Sequence, residues 1–406
     1  MNMFAEDARL PADIKMSAIP PAPKGHPVLM TGATGFVGAY ILAEVLRGTD
    51  HRVVCLARAQ DDGEAAVRVR RNLQAHGVWR DSWSDRITGL CGNLAAPRLG
   101  LSELAWVRLA SQIGLIIHNG AQVNFVAPYA ALKAANVDAT VEMLRLATSG
   151  RLKPFHHIST VGVIWRPPGD VAPVAETDDP GDPRMLANGY DQSKWVADRI
   201  VAEAIRQGLP GSLYRLGLVS GESRTGTYAP RDFLSSMLIG SLQMGAFPDF
   251  DWPIPMLAVD VAARMVAGLI GGRNTLGQIY HVVHPHPFTG RELARLALLR
   301  GFKFRVLPWE AWRSTAVQPD RLIGSDLSDY ADFLRTAHDF RIPHLLMDNV
   351  RAAVPELVRS CPSQRKLLGR YMEYFIRNGR LAAPDRRAGL RWGLTYAYRR
   401  TLGAYT

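Results

Sequence analysis

A glycine-rich turn between a strand and a helix constrains the fold of this 406-residue chain more than any other feature. The turn reads TGATGFVG at 31–38; the apolar run before it predicts a buried strand, and AYILAEVLRG after it predicts a helix. Gly32 suits a tight turn, Gly35 lets a ligand approach the backbone, and Gly38 allows close packing of helix on strand. Because a helix N-terminus presents free N–H groups, the turn predicts a pyrophosphate site.

Strand-like and helix-like segments continue to alternate after this turn. The next predicted strands are RVVCLAR, GLIIHN, FHHIST, SLYRLGLVSG and QIYHVVHP, and helical patterns separate most of them. Alternation of this kind implies right-handed βαβ crossovers and a parallel sheet covered by helices on both faces. We therefore predict an α/β protein with a doubly wound parallel sheet and a smaller, mostly helical C-terminal lobe.

The pattern also predicts domain boundaries. Residues before the first strand end in SAIPPAPKGHP, and a proline-rich run of this kind is typical of a semi-rigid linker. The predicted parts are a linker or arm (1–25), a nucleotide-binding domain (26–225, with 256–285 returning to it), a second lobe (226–255 and 286–384) and a basic tail (385–406).

Composition excludes several classes of protein. The three cysteines, Cys55, Cys91 and Cys361, form no CxxC pair, so we expect neither a disulfide framework nor a metal site. The N-terminal sequence lacks the basic and apolar regions of a signal peptide, and no apolar run is long enough to span a membrane. We expect a cytoplasmic protein without a membrane partner.

The formal net charge of +11 comes largely from arginines near the C-terminus. No nucleic-acid-binding motif accompanies them, so we expect no nucleic-acid partner. Two interpretations remain: a solvated basic face, or a docking surface for an acidic protein.

A tyrosine and a lysine four positions apart form the motif YDQSK at 190–194. On a helix Tyr190 and Lys194 share one face, and a cation beside a phenol lowers the pKa of that phenol. Such a pair can protonate the oxygen of a carbonyl that receives a hydride. The preceding strand, FHHIST, ends in Ser159 and Thr160, and both hydroxyls are candidates to assist.

The motif YAALK at 129–133 has the same spacing but precedes the FHHIST strand. A strand end that points at the reacting carbonyl would leave Tyr129 and Lys133 in the wrong element. We predict packing in the core or at a helix start for them, with Pro128 at the first helical position. The alternative for Tyr129 is that it lines the substrate cleft. His118, His156 and His157 lack ligand partners at metal-binding spacing, which favours structural roles.

The second strand ends in Arg58 rather than in an acidic residue. An acidic residue there would bind the ribose 2′-OH of NAD, whereas an arginine suits a 2′-phosphate. We therefore predict NADPH as the cofactor, with Arg68 as a second phosphate ligand. The alternative for both arginines is an ordinary solvent-exposed position.

Four motifs together resemble the extended short-chain dehydrogenases/reductases: TGATGFVG, NGA at 119–121, IST at 158–160 and YDQSK. Within that superfamily, HNGAQVNFVAPYAALKAANVDATVEMLRLA, GNLAAPRLGL and YRLGLVSGESRTG resemble the thioester reductase domains. Those domains terminate nonribosomal peptide and polyketide synthetases and carboxylic acid reductases. The resemblance covers about residues 20–384 and implies a Rossmann fold whose second lobe faces the substrate and its carrier protein.

The resemblance also implies the site residues. Its catalytic triad falls on Thr160, Tyr190 and Lys194, with Ser159 as the supporting neighbour. The chain has Asn93 where the family usually has Asp, and Gly217 where Pro is common. The implied NADPH-binding residues are Thr31, Gly32, Thr34, Gly35, Phe36, Val37, Gly38, Arg58, Arg68, Asn93, Leu94, Asn119, Gly120, Ala121, Ser159, Tyr190, Lys194, Leu216, Gly217 and Val219.

The activity implied by the resemblance is NADPH-dependent release of an acyl or peptidyl thioester from a phosphopantetheinylated carrier protein, by a monomer. The product is an aldehyde, and further reduction to an alcohol stays open. One alternative is an extended reductase or epimerase that acts on a fatty acyl-CoA or a nucleotide sugar. A second is a non-reducing, cyclising relative, although such relatives typically lose the tyrosine.

Overall fold

The computed structural model describes residues 3–16, 25–167, 169–229, 232–322, 325–336 and 341–384. The chain divides into two compact units. The first consists of Met1–Val219, Val259–Val283 and Leu345–Cys361, and the second of Ser220–Ala258, His284–His344 and Pro362–Thr406. The proline-rich run at 17–24 and the predicted basic tail at 385–406 lie outside the described residues.

The first part of the chain alternates strands and helices as its sequence predicts. In chain order the elements are α1 (Met3–Asp7), β1 (Val28–Thr31), α2 (Phe36–Gly48), β2 (Val53–Ala57), α3 (Asp62–Ala75), β3 (Ile87–Cys91), α4 (Glu103–Gln112), β4 (Leu115–His118), α5 (Tyr129–Lys133), α6 (Ala139–Thr148), β5 (Phe155–Thr160), α7 (Gly189–Arg206) and β6 (Gly211–Leu216). A π-helical turn, Ala134–Asp138, joins α5 to α6.

The remaining elements are shorter and mostly helical. They are β7 (Leu218–Ser220), α8 (Phe233–Met244), β8 (Ala246–Asp249), β9 (Pro253–Ile254), β10 (Met256–Ala258), α9 (Val259–Gly271), β11 (Ile279–Val282), β12 (Phe288–Thr289), α10 (Gly290–Leu299), β13 (Arg305–Pro308), α11 (Trp309–Ala316), α12 (Pro319–Leu322), α13 (Ala331–Thr336), α14 (Asp348–Ala353), α15 (Pro355–Arg359) and α16 (Gln364–Arg377). Of these, α9, β11, α14 and α15 belong to the first unit.

Seven parallel strands form the sheet of the first unit, in the order β11-β6-β5-β4-β1-β2-β3. The interior strand β1 is buried along its whole length, as expected when helices cover both faces of a parallel sheet. The strand order reverses at β1, which pairs with β2 on one side and β4 on the other. Ligands of doubly wound sheets bind at the carboxyl edge beside such a reversal. The predicted Rossmann-type fold is confirmed.

The edge strand β3 was missed by the sequence prediction. Its residues, ITGLC, contain a glycine and a threonine and are only partly buried, so no apolar run marks it. Gly89 faces α3: a Cβ there would lie 2.3 Å from the Asp62 carbonyl oxygen. The close packing of α3 on Gly89 therefore stabilises this strand. A search for apolar periodicity cannot detect a contact of this kind.

The boundaries of the first unit also differ from the predicted ones. Residues 3–16 belong to it rather than to a free linker, and Ile14 is buried with 4% exposure. Residues 345–361, expected in the second lobe, also belong to it. A hydrogen-bonded cap joins this segment to the first unit. The Glu176 carboxylate accepts from the backbone N–H groups of Asp348 (3.0 Å) and Asn349 (3.1 Å) at the start of α14.

The second unit packs its short elements around aromatic side chains. Antiparallel β9 and β12 form one small sheet, and parallel β8 and β13 form another. Phe250 stacks on Trp252 at 4.3 Å and meets Trp309 edge-on at 5.8 Å, and Phe247 is buried. Among the described residues, no helix is long and apolar enough to cross a membrane.

Candidate active site

The glycine-rich turn has the close contacts that its sequence predicts. Gly32 has a φ of 76°, and a Cβ there would lie 2.6 Å from Asn119 Nδ2. A Cβ at Gly38 would lie 2.0 Å from the Gly32 carbonyl oxygen, so α2 meets β1 closely only because this position is glycine. No side chain caps α2 at Gly35. The uncapped N-terminus, with Thr34, Phe36 and Val37 around it, fits a pyrophosphate.

An asparagine that the sequence prediction missed holds this turn. Asn72 on α3 donates from Nδ2 to the carbonyl oxygens of Ala33 and Gly35, both at 3.0 Å. Asn119 donates from Nδ2 to the Gly32 carbonyl oxygen at 3.3 Å. These bonds fix the carbonyls and leave the N–H groups at the start of α2 for a ligand. The only sequence signal for Asn72 is that it is a polar residue on the inward side of the amphipathic helix α3.

Thr31 supports the turn from inside the sheet. It is fully buried, and its Oγ1 accepts from the Gly120 backbone N–H at 2.8 Å and lies 2.8 Å from His118 Nδ1. The other ring nitrogen of His118 lies 3.2 Å from Thr140 Oγ1, and burial lowers the pKa of His118 to about 3. Thr31 therefore contributes by joining β1 to β4, because its hydroxyl is already bound by protein groups.

The histidines predicted as structural are buried in the sheet. His156 Nδ1 lies 2.8 Å from the Tyr214 hydroxyl, and burial lowers the pKa of His156 to about 3. Burial also holds the pKa of His157 well below its usual value. Among the described residues, no group of three or more His, Cys, Asp or Glu side chains could hold a metal ion.

The two arginines predicted to bind a 2′-phosphate come together at the end of β2. Arg68 Nη1 donates to the Arg58 carbonyl oxygen at 2.5 Å, and both residues are exposed. Neither forms an ion pair with a carboxylate in the part of the chain that the structure describes. The positive charge at this strand end is therefore available to an anion.

The loop after β3 shows what replaces the usual aspartate. Asn93 is exposed; its N–H donates to the Leu99 carbonyl oxygen (2.7 Å) and its Oδ1 accepts from the Ala95 N–H (3.1 Å). The side-chain oxygen thus shapes the loop, while the amide nitrogen stays accessible. Leu94 lies against Gly120, where a Cβ would come within 2.7 Å of Leu94 Cδ1. Ala121, the last residue of the NGA motif, comes directly after Gly120 in the chain.

The two candidate hydroxyls at the end of β5 have different surroundings. Ser159 donates to Asp198 Oδ2 at 2.8 Å, and Asp198 also forms a buried bidentate ion pair with Arg215 (2.9 and 3.1 Å). Ser159 is therefore committed to a structural network. Thr160 Oγ1 accepts from the Gly162 N–H at 3.0 Å, which leaves the Thr160 O–H free to donate. This geometry favours Thr160 over Ser159 as a donor to a substrate oxygen.

Tyr190 lies at the start of α7, which Asn188 caps. Its ring meets Phe125 edge-on at 5.3 Å, and within the described residues nothing hydrogen-bonds to its hydroxyl. Burial, followed by the charge of Asp191, raises the pKa of Tyr190. The expected lowering of this pKa by Lys194 is therefore not seen, because the lysine is directed elsewhere.

Lys194 is buried on the next turn of α7, with 3% exposure. Its Nζ donates to the Ile158 carbonyl oxygen at 2.8 Å and lies 3.3 Å from His157 Nε2, so its hydrogen bonds run to the end of β5 and not to the Tyr190 phenol. Burial lowers the pKa of Lys194 to about 8, against the opposing charge of Asp198. The ammonium thus links α7 to the strand that ends in Thr160.

The last predicted cofactor positions lie at and just after the end of β6, the strand next to β5. Leu216 pairs with Thr160 in the sheet, and the Gly217 N–H donates to the Val282 carbonyl oxygen at 3.1 Å. Val219, two residues on, is partly exposed. A proline at 217 would lack this N–H, so the departure from the family pattern supplies one bond to the edge strand β11.

The second motif, YAALK, binds the N-terminal segment. The Tyr129 hydroxyl donates to Asp7 Oδ2 at 2.6 Å, and Lys133 Nζ pairs with Asp7 Oδ1 at 2.6 Å. Phe4 meets the Tyr129 ring edge-on at 4.9 Å. The predicted packing role is borne out, although the helix begins at Tyr129, so that Pro128 is its cap and not its first residue.

Comparison with known proteins gives the family. Residues 30–266 match the family described as Male sterility protein. The chain is 34% identical over 359 residues to one of the linear gramicidin synthase subunits, from Brevibacillus parabrevis; the match covers 87% of the chain and 7% of that protein. It is 33% identical over 391 residues to glycine betaine reductase ATRR of Emericella nidulans, covering 93% and 30%.

A solved structure is similar over its whole length. The terminal R domain from the myxalamid PKS-NRPS biosynthetic pathway is 37% identical, with a TM-score of 0.87, and the match covers 94% of this chain and 99% of that one. The chain thus spans less than a third of the two curated relatives but almost all of this R domain. It belongs to the Male sterility protein family, as a reductase of the terminal R-domain type with the extended short-chain dehydrogenase/reductase fold.

Proposed function

We propose that this reductase uses NADPH to release an acyl or peptidyl chain from a phosphopantetheinylated carrier protein as an aldehyde. The observation that supports this most is a convergence at the carboxyl edge of one sheet. The glycine-rich turn follows β1, the paired arginines follow β2, Thr160 ends β5, and the start of α7 lies against the turn after Thr160. These are the groups that a nicotinamide-dependent carbonyl reduction needs.

NADPH fits this edge better than NADH does. The cradle between Gly32 and Gly38 excludes any larger residue, and the uncapped helix start suits the pyrophosphate. Arg58 and Arg68 suit the 2′-phosphate, because guanidinium groups bind phosphate through paired, charge-assisted hydrogen bonds. NADH has no such phosphate, so the two arginines would gain nothing from it.

When bound, NADPH supplies a hydride to the thioester carbonyl carbon. The electrons of the C=O bond then move to oxygen, where the free Thr160 O–H and the Tyr190 phenol hydrogen-bond to the developing charge. Tyr190 gives up its proton to that oxygen. Lys194, one turn further along α7, holds this helix to the end of β5 and contributes a positive charge to the buried site. The resulting hemithioacetal loses its C–S bond: the aldehyde leaves, and the thiolate takes up a proton. Thioester, NADPH and a proton thus give aldehyde, thiol and NADP⁺.

The carrier protein is part of the proposal. One relative belongs to a gramicidin synthase and another is an R domain of a PKS-NRPS pathway, and chains grow in such systems as thioesters on carrier domains. An acyl-CoA presents the same pantetheine thioester without a protein, so it is the natural competitor as a substrate. A second NADPH would be required to carry the aldehyde on to an alcohol.

The test is a matched panel of thioesters. The protein is incubated with NADPH or NADH and with carrier-bound, pantetheine-bound or CoA-bound acyl groups, and aldehyde and alcohol are measured by mass spectrometry. We expect aldehyde with NADPH, at a higher kcat/KM for the carrier-bound acyl group than for the acyl-CoA. Failure of every thioester to support NADPH oxidation would contradict the proposal, and turnover of a nucleotide sugar alone would replace it.

A further inference from the structure

Asp191 adjoins the proposed acid Tyr190, and the mechanism above gives it no task. It occupies the first turn of α7, where Asn188 is the cap. The Asn188 Oδ1 accepts from the Asp191 N–H at 2.8 Å, and its Nδ2 donates to Asp191 Oδ2 at 2.7 Å. One oxygen of the Asp191 carboxyl group is therefore held by the residue that starts the helix.

The other oxygen of Asp191 faces the turn that contains Thr160. A Cβ at Gly162 would lie 2.3 Å from Asp191 Oδ1 and 2.9 Å from Asp191 Cγ, so the carboxyl group lies directly on the Gly162 backbone. The N–H of Gly162 donates to Thr160 Oγ1 at 3.0 Å. Asp191 thus connects the helix of Tyr190 to the hydroxyl of Thr160 through a single intervening residue.

The charges around this contact come from few groups. On α7 they are Asp191 itself, the Tyr190 phenol and Lys194, whose ammonium donates to the Ile158 carbonyl oxygen. The turn after β5 contributes Thr160 and backbone, and the loop before α5 contributes the uncharged ring of Phe125. In the described part of the chain, Asp191 belongs to none of the ion pairs.

We propose that Asp191 is a positioning residue for the reduction. Its carboxyl group holds the Thr160 turn against the start of α7, and its negative charge adds to burial in keeping the neighbouring Tyr190 phenol in the acid form. A reductase needs that form, because the phenol must still have its proton when the substrate oxygen becomes negative. This inference rests on the proposed function, since it takes Tyr190 to be the acid.

The titration of the two groups supports the electrostatic part. Burial raises the pKa of Asp191 to about 7, although the hydrogen bond from Asn188 opposes the rise. Burial also raises the pKa of Tyr190, and the charge of Asp191 adds to it. Asp191 is thus ionised above about pH 7, and its charge then adds to the effect of burial on the phenol.

The first test is the pH profile of kcat/KM for the thioester. The alkaline limb is set by loss of the Lys194 charge near pH 8. Removing the charge with Asp191→Asn lowers the pKa of this ammonium, one turn along the helix, as well as that of the phenol, so the limb should move to lower pH, by roughly one pH unit. The matched control is Glu203→Gln, which removes a carboxylate from the far end of the same helix, about 18 Å away. We expect its profile to overlay that of the wild type. An alkaline limb that stays in place in Asp191→Asn overturns the electrostatic role.

The second test addresses the contact with the Thr160 turn. Gly162→Ala places a methyl group against the Asp191 carboxyl group and should lower kcat by roughly tenfold. In the double variant with Asp191→Ala, the methyl group occupies the space left by the carboxyl group, so the two losses should be much less than additive. Strict additivity would show that the carboxyl group does not position the turn. NADPH binding and thermal unfolding of each variant identify misfolded protein.

Failure of this inference and failure of the proposed function give different results. If Tyr190→Phe retains the wild-type rate, the assignment of the acid is wrong and the Asp191 profiles have no bearing on it. If Tyr190→Phe is inactive while Asp191→Asn keeps the wild-type alkaline limb and the Gly162 cycle is additive, the proposed function stands and Asp191 is only part of the helix cap.

Discussion

The chain contains two Tyr-x-x-x-Lys motifs on neighbouring helices, and their surroundings separate them. In YDQSK the Tyr190 hydroxyl has no hydrogen-bond partner among the described residues, and Lys194 is buried against the end of β5. In YAALK both functional groups bind the carboxylate of Asp7. The same spacing thus leaves the tyrosine hydroxyl available to a ligand at one site, whereas at the other site both side chains bind an aspartate and have a structural role.

The strand beside each motif, and not the spacing of its tyrosine and lysine, determines whether the tyrosine can act as an acid. The start of α7 lies against the turn after β5, so a group on its first turns can face a ligand at the carboxyl edge of the sheet. Tyr129 is buried and its hydroxyl donates to a carboxylate; burial and Asp7 both raise the pKa of this phenol. Because the Tyr129 hydroxyl already donates its hydrogen to Asp7, this phenol has none to offer a substrate.

The largest expected effect separates the two tyrosines. Tyr190→Phe removes the proton donor and should lower kcat by roughly 10²- to 10⁴-fold, whereas Tyr129→Phe removes only a bond to Asp7 and should leave kcat within about twofold of wild type. The measurement is NADPH oxidation with a saturating thioester. Equal losses of kcat in the two variants would contradict the distinction between the two motifs.

The lysines should differ in the same direction, with a smaller effect. Lys194→Met removes the buried cation beside Ile158, and we expect kcat to fall by about a hundredfold. Lys133→Met breaks an ion pair with Asp7 on a partly exposed surface and should not change kcat. The wild-type alkaline limb also tests this role: the pKa of Lys194 is lowered to about 8, so its positive charge is lost above that pH and the rate should fall there.

The cofactor arginines offer a test that does not depend on either motif. Arg58→Ala should raise the KM for NADPH at least tenfold, because one charge-assisted hydrogen bond is worth about 1.5–3 kcal/mol, and should leave the KM for NADH unchanged. Arg70→Ala is the control, since Arg70 lies on the same helix as Arg68 but stacks on Trp79. Parallel increases for both cofactors would mean that Arg58 does not recognise the 2′-phosphate.

The smallest expected effect is on stability. Asp7→Asn weakens the clamp on Tyr129 and Lys133, and should lower the free energy of unfolding by about 0.5–1 kcal/mol at pH 7. Burial acts to raise the pKa of Asp7, but hydrogen bonds from Lys133 and Tyr129 outweigh it and hold this pKa below its usual value. The contribution is therefore present above about pH 4 and lost as pH falls further. Chemical denaturation at two pH values measures it.

Much of the fold and the site was accessible from sequence. Apolar runs and helical periodicity located six of the seven strands of the main sheet, and the glycine-rich turn marked its carboxyl edge. The missing strand, β3, depends on close packing at Gly89, and a contact of this kind leaves no apolar pattern. The membership of 345–361 in the first unit depends on the Glu176 cap, which joins residues about 170 positions apart.

Side-chain direction was the part that sequence could not supply. Spacing placed Lys194 on the same helix face as Tyr190, yet the ammonium hydrogen-bonds to the Ile158 carbonyl oxygen. From the residues alone, Ser159 and Thr160 were both candidates, and only the family resemblance favoured Thr160. Their partners, Asp198 and the Gly162 N–H, supply the physical reason for that choice. Asn72 was missed because its partners are backbone carbonyls of a turn nearly 40 residues away.

The most direct test follows the transferred hydrogen. NADPH carrying deuterium at C4 of the nicotinamide, in the position that is transferred, is mixed with a carrier-bound acyl thioester, and the product is analysed by mass spectrometry. We expect aldehyde with one deuterium on its carbonyl carbon from the wild type and from Tyr129→Phe, and none above background from Tyr190→Phe. Release of an unlabelled product by the wild type, or labelled aldehyde at the wild-type rate from Tyr190→Phe, would contradict a hydride transfer assisted by Tyr190.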